Sequence, residues 1–229
     1  MPELVDEQAD FLVFTKRSGD NFHTENGEPG FFQSIKNVYK DVFPVHRLDR
    51  VTSGLLIVAK NLESCQKLNR LFVEQKIQKY YLAISDRKPK KKQGWIIGDM
   101  EKSRRGNWKL CMTKRKPAVT QFFSKSIDDG RRVYLLKPCT GKTHQLRVAM
   151  KSIGSPICGD PNYYPGESKK TELRCYLHSY ALNFEMNGKK YFYCDKPKKE
   201  GLFNTKSFLD LISDEYSRPH CLDWPKRKK

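Results

Sequence analysis

Val45-His46-Arg47-Leu48-Asp49-Arg50-Val51-Thr52-Ser53-Gly54-Leu55-Leu56-Ile57-Val58-Ala59-Lys60 reads as a loop feeding a buried strand. Gly54 to Ala59 is a continuous apolar run with β-branched members, long enough for a buried strand and short for a helix. Ahead of it lies a small-polar and glycine turn, and ahead of that an acid between two arginines. A carboxylate in a loop beside a core element can be held rigidly, as a catalytic group must be. Flanking cations favour its ionised form, a competent base or nucleophile at neutral pH. Taken alone, Arg-Leu-Asp-Arg is more often a structural ion pair, and such pairs also perturb pKa values.

Outward from this stretch the strand-like segments accumulate. Phe11–Thr15 reads as a strand with a Ser18-Gly19-Asp20 turn after it, and Phe31–Lys40 as a helix. Asn61 can cap a helix carrying Leu62, Cys65, Leu68, Phe72 and Val73 on one face. Tyr80–Ser85, Ala118–Ser124 and Arg132–Lys137 have strand character. Thr143 is the natural N-cap of a short helix that Gly154 stops. Arg174–Phe184, Asn187-Gly188 and Tyr191–Cys194 predict a hairpin, since Asn-Gly between strand-like runs is a strong turn signal. A last amphipathic helix is expected within Thr205–Tyr216, before the basic tail Lys226-Arg227-Lys228-Lys229. No internal repeat is visible. The class is α+β, with strands outnumbering helices and mostly joined antiparallel.

The 229 residues suit one large domain or two closely joined lobes, and 38% hydrophobic residues suffice for a core. The net charge of +18 points to an anionic partner, because Lys and Arg that neutralise phosphates gain from counterion release. No apolar run approaches the length of a membrane span, and the acidic N-terminus lacks a signal-peptide core. The seven cysteines are scattered with no zinc-knuckle spacing, which supports neither a metal site nor a disulfide framework and suggests a reduced, cytoplasmic protein. Two basic stretches stand out. One is Arg87–Lys92; the other runs from Lys102 through Arg104, Arg105 and Lys109 to Lys114, Arg115 and Lys116, with Trp95 and Trp108 nearby. Cations mixed with flat apolar faces suit looped or single-stranded RNA, so Arg104, Arg105, Lys109, Lys114 and Arg115 are candidate RNA contacts. Solvated loops that touch nothing are the alternative, an even one for the first stretch.

His46-Arg47-Leu48-Asp49 followed by Thr52-Ser53-Gly54-Leu55-Leu56 closely resembles the signature of the RluA family of pseudouridine synthases. Lys79-Tyr80-Tyr81-Leu82-Ala83, then Gly141-Lys142-Thr143-His144-Gln145-Leu146-Arg147-Val148, are similar to its second and third motifs. Ile153–Asp160 with Tyr163 or Tyr164, and Leu177-His178-Ser179 through Leu182 and Phe184, are similar to its closing segments. Four ordered motifs spanning residues 10 to 185 make coincidence very improbable. Two departures are visible. Lys16-Arg17-Ser18-Gly19 stands where the family commonly has Lys-Pro-x-Gly, and Lys142 where it often has arginine, which loses a bidentate fork.

The resemblance implies a pseudouridine synthase fold: a mixed, mainly antiparallel sheet in two joined lobes flanked by helices, with the active-site cleft between them. It implies one catalytic domain over 1–229, with a motif-bearing core at about 10–185, a C-terminal helix and basic tail in 186–229, and no separate N-terminal RNA-binding domain. The implied reaction isomerises a specific uridine in a ribosomal or transfer RNA stem-loop, without cofactor or metal, in a monomer. Asp49 would be the essential carboxylate and Arg147 its ion-pair partner; Tyr81 would lie against the base and Leu146 would form a water-excluding wall. Arg47 would fill the gap left by the flipped nucleotide, and His46 and Thr52 are counted with the substrate-binding residues. Without the motif, Tyr81 and Leu146 would read as core, Arg147 as a helix-terminal charge, and His46, His144 and His178 as hydrogen-bonded structural histidines. Two rival readings remain: a catalytically silent RNA-binding or remodelling module on the same fold, and a hydrolase that releases free uracil.

Overall fold

The computed structural model describes residues 2–25, 27–165 and 172–226, so the end of the basic tail, 227–229, lies outside the described residues. In chain order the elements are β1 (Glu3–Glu7), β2 (Phe11–Lys16), α1 (Phe31–Lys36), β3 (Phe43–Pro44), β4 (Ser53–Ala59), α2 (Leu62–Val73), β5 (Gln78–Ser85), β6 (Gln93–Lys102), β7 (Trp108–Cys111), β8 (Ala118–Ser126), β9 (Arg132–Pro138), α3 (Gln145–Ser152), β10 (Leu177–Met186), β11 (Lys189–Cys194) and α4 (Lys206–Ser213). The sheet is mixed and mostly antiparallel. The chain divides into two compact units, Met1–Gln78 with His178–Pro197, and Lys79–Leu177 with Lys198–Lys229.

In the first unit, β4 is the apolar run identified from the sequence, and all seven of its residues are buried. It has strands on both edges. β2 runs antiparallel to it from Phe11↔Ala59 to Lys16↔Gly54, and β10 runs parallel at His178↔Ser53 and Ser179↔Gly54. Phe11, Val13, Leu55, Ile57, Leu68, Leu182 and Phe184 form the core of this unit. Each such side chain taken from water contributes about 1.5–3 kcal/mol. α2 is capped as expected, Asn61 Oδ1 accepting the Ser64 N–H at 2.8 Å. Its inner face is narrower than the sequence suggested, because Leu62 and Val73 are exposed. Asn187 and Gly188 both take positive φ, 52° and 74°, the conformation a two-residue hairpin between β10 and β11 requires.

The second unit orders its strands β5-β9-β8-β6-β7, with antiparallel registers such as Tyr81↔Leu136 and Phe122↔Leu136. α3 packs beside β7, β8 and β9, while Phe208 and Ile212 of α4 are fully buried. Two expectations need correction. α1 ends at Lys36, not Lys40, because Asn37 caps it and Tyr39 turns its ring onto Phe14. α3 begins at Gln145, with His144 in the left-handed conformation as its N-cap and no side-chain cap from Thr143. α4 lies within Thr205–Tyr216 as expected, running from Lys206 to Ser213.

Candidate active site

Asp49 lies half-buried in the loop between β3 and β4, and its own backbone starts the turn, its carbonyl accepting the Thr52 N–H at 3.0 Å. That loop is fastened from the turn after β2. Lys16 is completely buried, and its ammonium donates to the carbonyls of Arg17 (2.8 Å), Asp20 (2.8 Å) and Arg50 (3.1 Å). The Gly19 N–H also reaches the Arg50 carbonyl at 2.8 Å, Ser18 Oγ donates to the Val51 carbonyl at 2.8 Å, and Arg50 Nε returns to the Gly19 carbonyl at 3.1 Å. The unusual Lys16-Arg17-Ser18-Gly19 turn therefore still clamps the two residues that follow Asp49, from three directions.

Below the loop, Gly54 has φ +106°, and a Cβ there would lie 2.2 Å from the Ser179 carbonyl oxygen. Only glycine lets β4 and β10 approach this closely. His178 Nε2 donates to the Asp195 carbonyl at 2.8 Å while Nδ1 meets Ser53 Oγ at 2.8 Å. His46 Nε2 accepts the Ile57 N–H at 2.9 Å, and its ring packs on Phe72. These are structural contacts that pin the loop to β4. Thr52 is buried in the same turn, while Arg47 is exposed.

Tyr81, Leu146 and Arg147 belong to the second unit. Tyr81 is buried on β5, and Leu146 and Arg147 are buried on the first turn of α3. α3 is fixed at its start by Gln145, whose side chain accepts from Thr140 Oγ1 (2.7 Å) and the Lys142 N–H (3.0 Å) and donates to the Val119 carbonyl (3.1 Å). Position 142 thus contributes its backbone here, and the exposed lysine side chain is compatible with that role. Arg147 meets a residue that sequence reasoning did not single out. Its Nε donates to Asp160 Oδ2 and its Nη2 to Asp160 Oδ1, both at 2.8 Å, and Asp160 has no exposed surface. The only sequence signal was Gly159-Asp160 within a closing segment. A two-pronged contact of this kind is among the strongest available to a guanidinium.

The second basic stretch is a hairpin followed by a loop. β6 and β7 pair from Asp99↔Cys111 to Lys102↔Trp108, and the connecting turn has Arg105 at φ 56°. Arg104, Arg105, Lys109, Lys114 and Arg115 are all exposed. Lys109 pairs with Glu101 at 3.3 Å, so part of its charge is already offset. Asp99 organises the loop, accepting the backbone N–H groups of Arg115 at 2.8 Å and Lys116 at 2.9 Å; these bonds, the Arg115 N–H first, hold its carboxyl below the usual range. Among the described residues no cluster of His, Cys, Asp and Glu is placed to hold a metal ion, and none of the seven cysteines is in a disulfide.

Residues 10–152 match the RNA pseudouridylate synthase family. The chain belongs to that family. The match contains Asp49, Tyr81, Leu146, Arg147 and both basic stretches, and stops short of Asp160. This RNA pseudouridylate synthase is 53% identical over 186 residues to an uncharacterized RNA pseudouridine synthase of Haemophilus influenzae, covering 80% of this chain and 82% of the relative. It is 33% identical over 192 residues to the dual-specificity RNA pseudouridine synthase RluA of Pasteurella multocida, covering 80% and 86%. Such relatives mark it as an RluA-type member, an isomerase that converts uridine to pseudouridine. Its fold is that of human RNA pseudouridylate synthase domain containing 1, with a TM-score of 0.78 at 22% identity over 99% of this chain and 97% of that one.

Proposed function

We propose that this pseudouridine synthase acts on a uridine flipped from a structured ribosomal or transfer RNA, with Asp49 as its essential carboxylate. The observation that carries the assignment is the loop itself. Asp49 is half-buried and immediately precedes the backbone segment that Lys16, Ser18 and Gly19 clamp, so a reactive group there is held in place before substrate arrives. In the reaction the bond from C1′ to N1 breaks, uracil turns, and C1′ bonds to C5. The C5 hydrogen leaves as a proton and N1 gains one, so no redox partner or group donor enters the balance. Asp49 acts at the sugar or base as nucleophile or general base. Arg147 is the cation assigned to that carboxylate, Tyr81 the flat face for the base and Leu146 the wall that keeps water from the detached uracil.

Extruding the nucleotide costs a few kcal/mol, which contacts to phosphates would offset. The exposed cations of the β6–β7 hairpin and the loop after it suit that task. Ribosomal RNA as a substrate is supported by a relative named as a large-subunit ribosomal enzyme, and a second RNA class by one named dual-specificity.

Tritium release from 5-tritiated uridine tests the reading, because bonding at C5 must expel that hydrogen. With unmodified ribosomal and transfer RNA as substrates, wild type is expected to release tritium. Asp49→Ala is expected to lose at least about a thousandfold in rate, ~4 kcal/mol on the barrier, with RNA affinity within about threefold. Substantial activity in Asp49→Ala would remove the aspartate from its role. Tight binding without release by wild type would favour a silent RNA-binding module, and free uracil among the products a hydrolase.

A further inference from the structure

The pair between Arg147 and Asp160 is almost completely enclosed, with side-chain exposures of 4% and 0%. A buried pair of this kind is weak evidence for stability, since apolar residues often serve as well. Its surroundings say what else it does. Asp160 Oδ1 also accepts the N–H of Asn162 at 2.9 Å and of Tyr163 at 3.0 Å. The carboxylate is therefore fixed by its own turn before it meets the arginine. That turn lays the Tyr163 ring against the guanidinium, with Cζ 5.0 Å from the ring centroid. The fork is held at its edge by the carboxylate and at a face by the ring.

Tyr163 extends the arrangement in two directions. Its hydroxyl lies 2.8 Å from His144 Nδ1, and His144 is the left-handed N-cap of the helix that carries Arg147. The same oxygen accepts the Trp108 N–H at 3.0 Å, where β7 begins. Beside it, Asn162 Nδ2 donates to Asn107 Oδ1 at 2.9 Å. One short turn thus touches the guanidinium, the start of its helix and the base of the basic hairpin.

We propose that Asp160 and Tyr163 are positioning residues: their turn sets the direction of the Arg147 guanidinium and ties it to the base of the β6–β7 hairpin. This rests on the reading that Arg147 serves the reaction and that the hairpin meets RNA. A guanidinium presents its donors in a rigid plane, so tilting that plane misdirects every bond it makes, and displacement by about 1 Å can cost on the order of a hundredfold in rate. RNA seated on the hairpin then bears on a segment fastened directly to the cage.

The test compares wild type, Tyr163→Phe and Asp160→Asn by single-turnover tritium release at saturating 5-tritiated ribosomal and transfer RNA transcripts. Kd for the same RNAs and Tm are measured alongside. Tyr163→Phe keeps the ring and removes only the hydroxyl, so it tests the tie even if Asp160→Asn fails to fold. The expected result is a fall in saturated rate of about tenfold for Tyr163→Phe and about a hundredfold for folded Asp160→Asn, with Kd within about threefold. A residue that merely supported the fold would lower Tm without changing the saturated rate of the folded enzyme. Wild-type rates in Tyr163→Phe, or an effect confined to Kd, would overturn the inference alone. Absence of release by wild type would overturn the assigned reaction and this inference with it.

Discussion

Lys16 carries a charge into a place with no exposed surface, and what it meets there is backbone: the carbonyls of Arg17, Asp20 and Arg50. Replacing it by methionine keeps the stem and strands those oxygens, each at a cost of about 1–3 kcal/mol if water cannot reach it. Lys16→Met is expected to lose about 3 kcal/mol of stability in a urea titration and to lose activity at temperatures where it is still folded, because the Arg50 carbonyl adjoins Asp49. Full activity in the folded mutant would show that the Asp49 loop holds its shape without this clamp. The catalytic candidate was legible in the sequence because its surroundings are local: arginines on either side, then Thr52-Ser53-Gly54 and the apolar run. Asp160 was not, because its meaning comes from Arg147, thirteen positions earlier, and no spacing rule links a helix residue to a turn beyond that helix. Lys79, too, gave no sign that burial would push its ammonium below its ordinary pKa.

At the scale of elements, strands with a buried face announced themselves and strands at the margins did not. β4, β5, β8, β9 and the β10–β11 hairpin were all visible in apolar runs or turn residues. β1 was missed because Leu4 and Val5 are exposed among acids, and β6 and β7 because the basic residues around them read as a charged loop, although β6 pairs with β8 and β7 with β6. β1 depends on individual bonds more than on core. Tyr193 Oη on β11 donates to Asp6 Oδ2 at 2.6 Å and Gln8 Nε2 to the same oxygen at 2.7 Å. The Tyr193 hydroxyl is the largest cause holding the Asp6 carboxyl below its ordinary value of 3.8. A folded-state pKa below the unfolded one adds stability that is present above the unfolded value and lost as pH falls through the folded one. Asp6→Asn is therefore expected to lower Tm slightly at pH 7 and to flatten the decline in Tm below about pH 4. A decline as steep as that of wild type would mean that other carboxylates govern the acid limb.

For the whole molecule the largest quantity is charge, +18 over 229 residues, and its effect can be diffuse or local. A diffuse field depends on the total, so removing any four exposed cations would weaken RNA binding by a similar modest amount. Contact with phosphates depends on place, each lost contact reducing the slope of log K against log salt by about 0.7–0.9. The two basic stretches allow the comparison, since both are exposed and only one belongs to the hairpin and the loop braced by Asp99. Changing Arg104, Arg105, Lys114 and Arg115 to glutamine is expected to reduce the magnitude of the slope by about 3. The same change at Arg87, Lys88, Lys90 and Lys91 removes equal charge and is expected to shift it by less than about 1. Lys109→Gln alone should do little, because Glu101 already shares that charge and exposed pairs of this kind are worth about 1 kcal/mol or less. Equal slopes for the two quadruple variants, measured by titrating salt against a fixed RNA transcript, would assign the affinity to the overall field and leave the hairpin without a special place in binding.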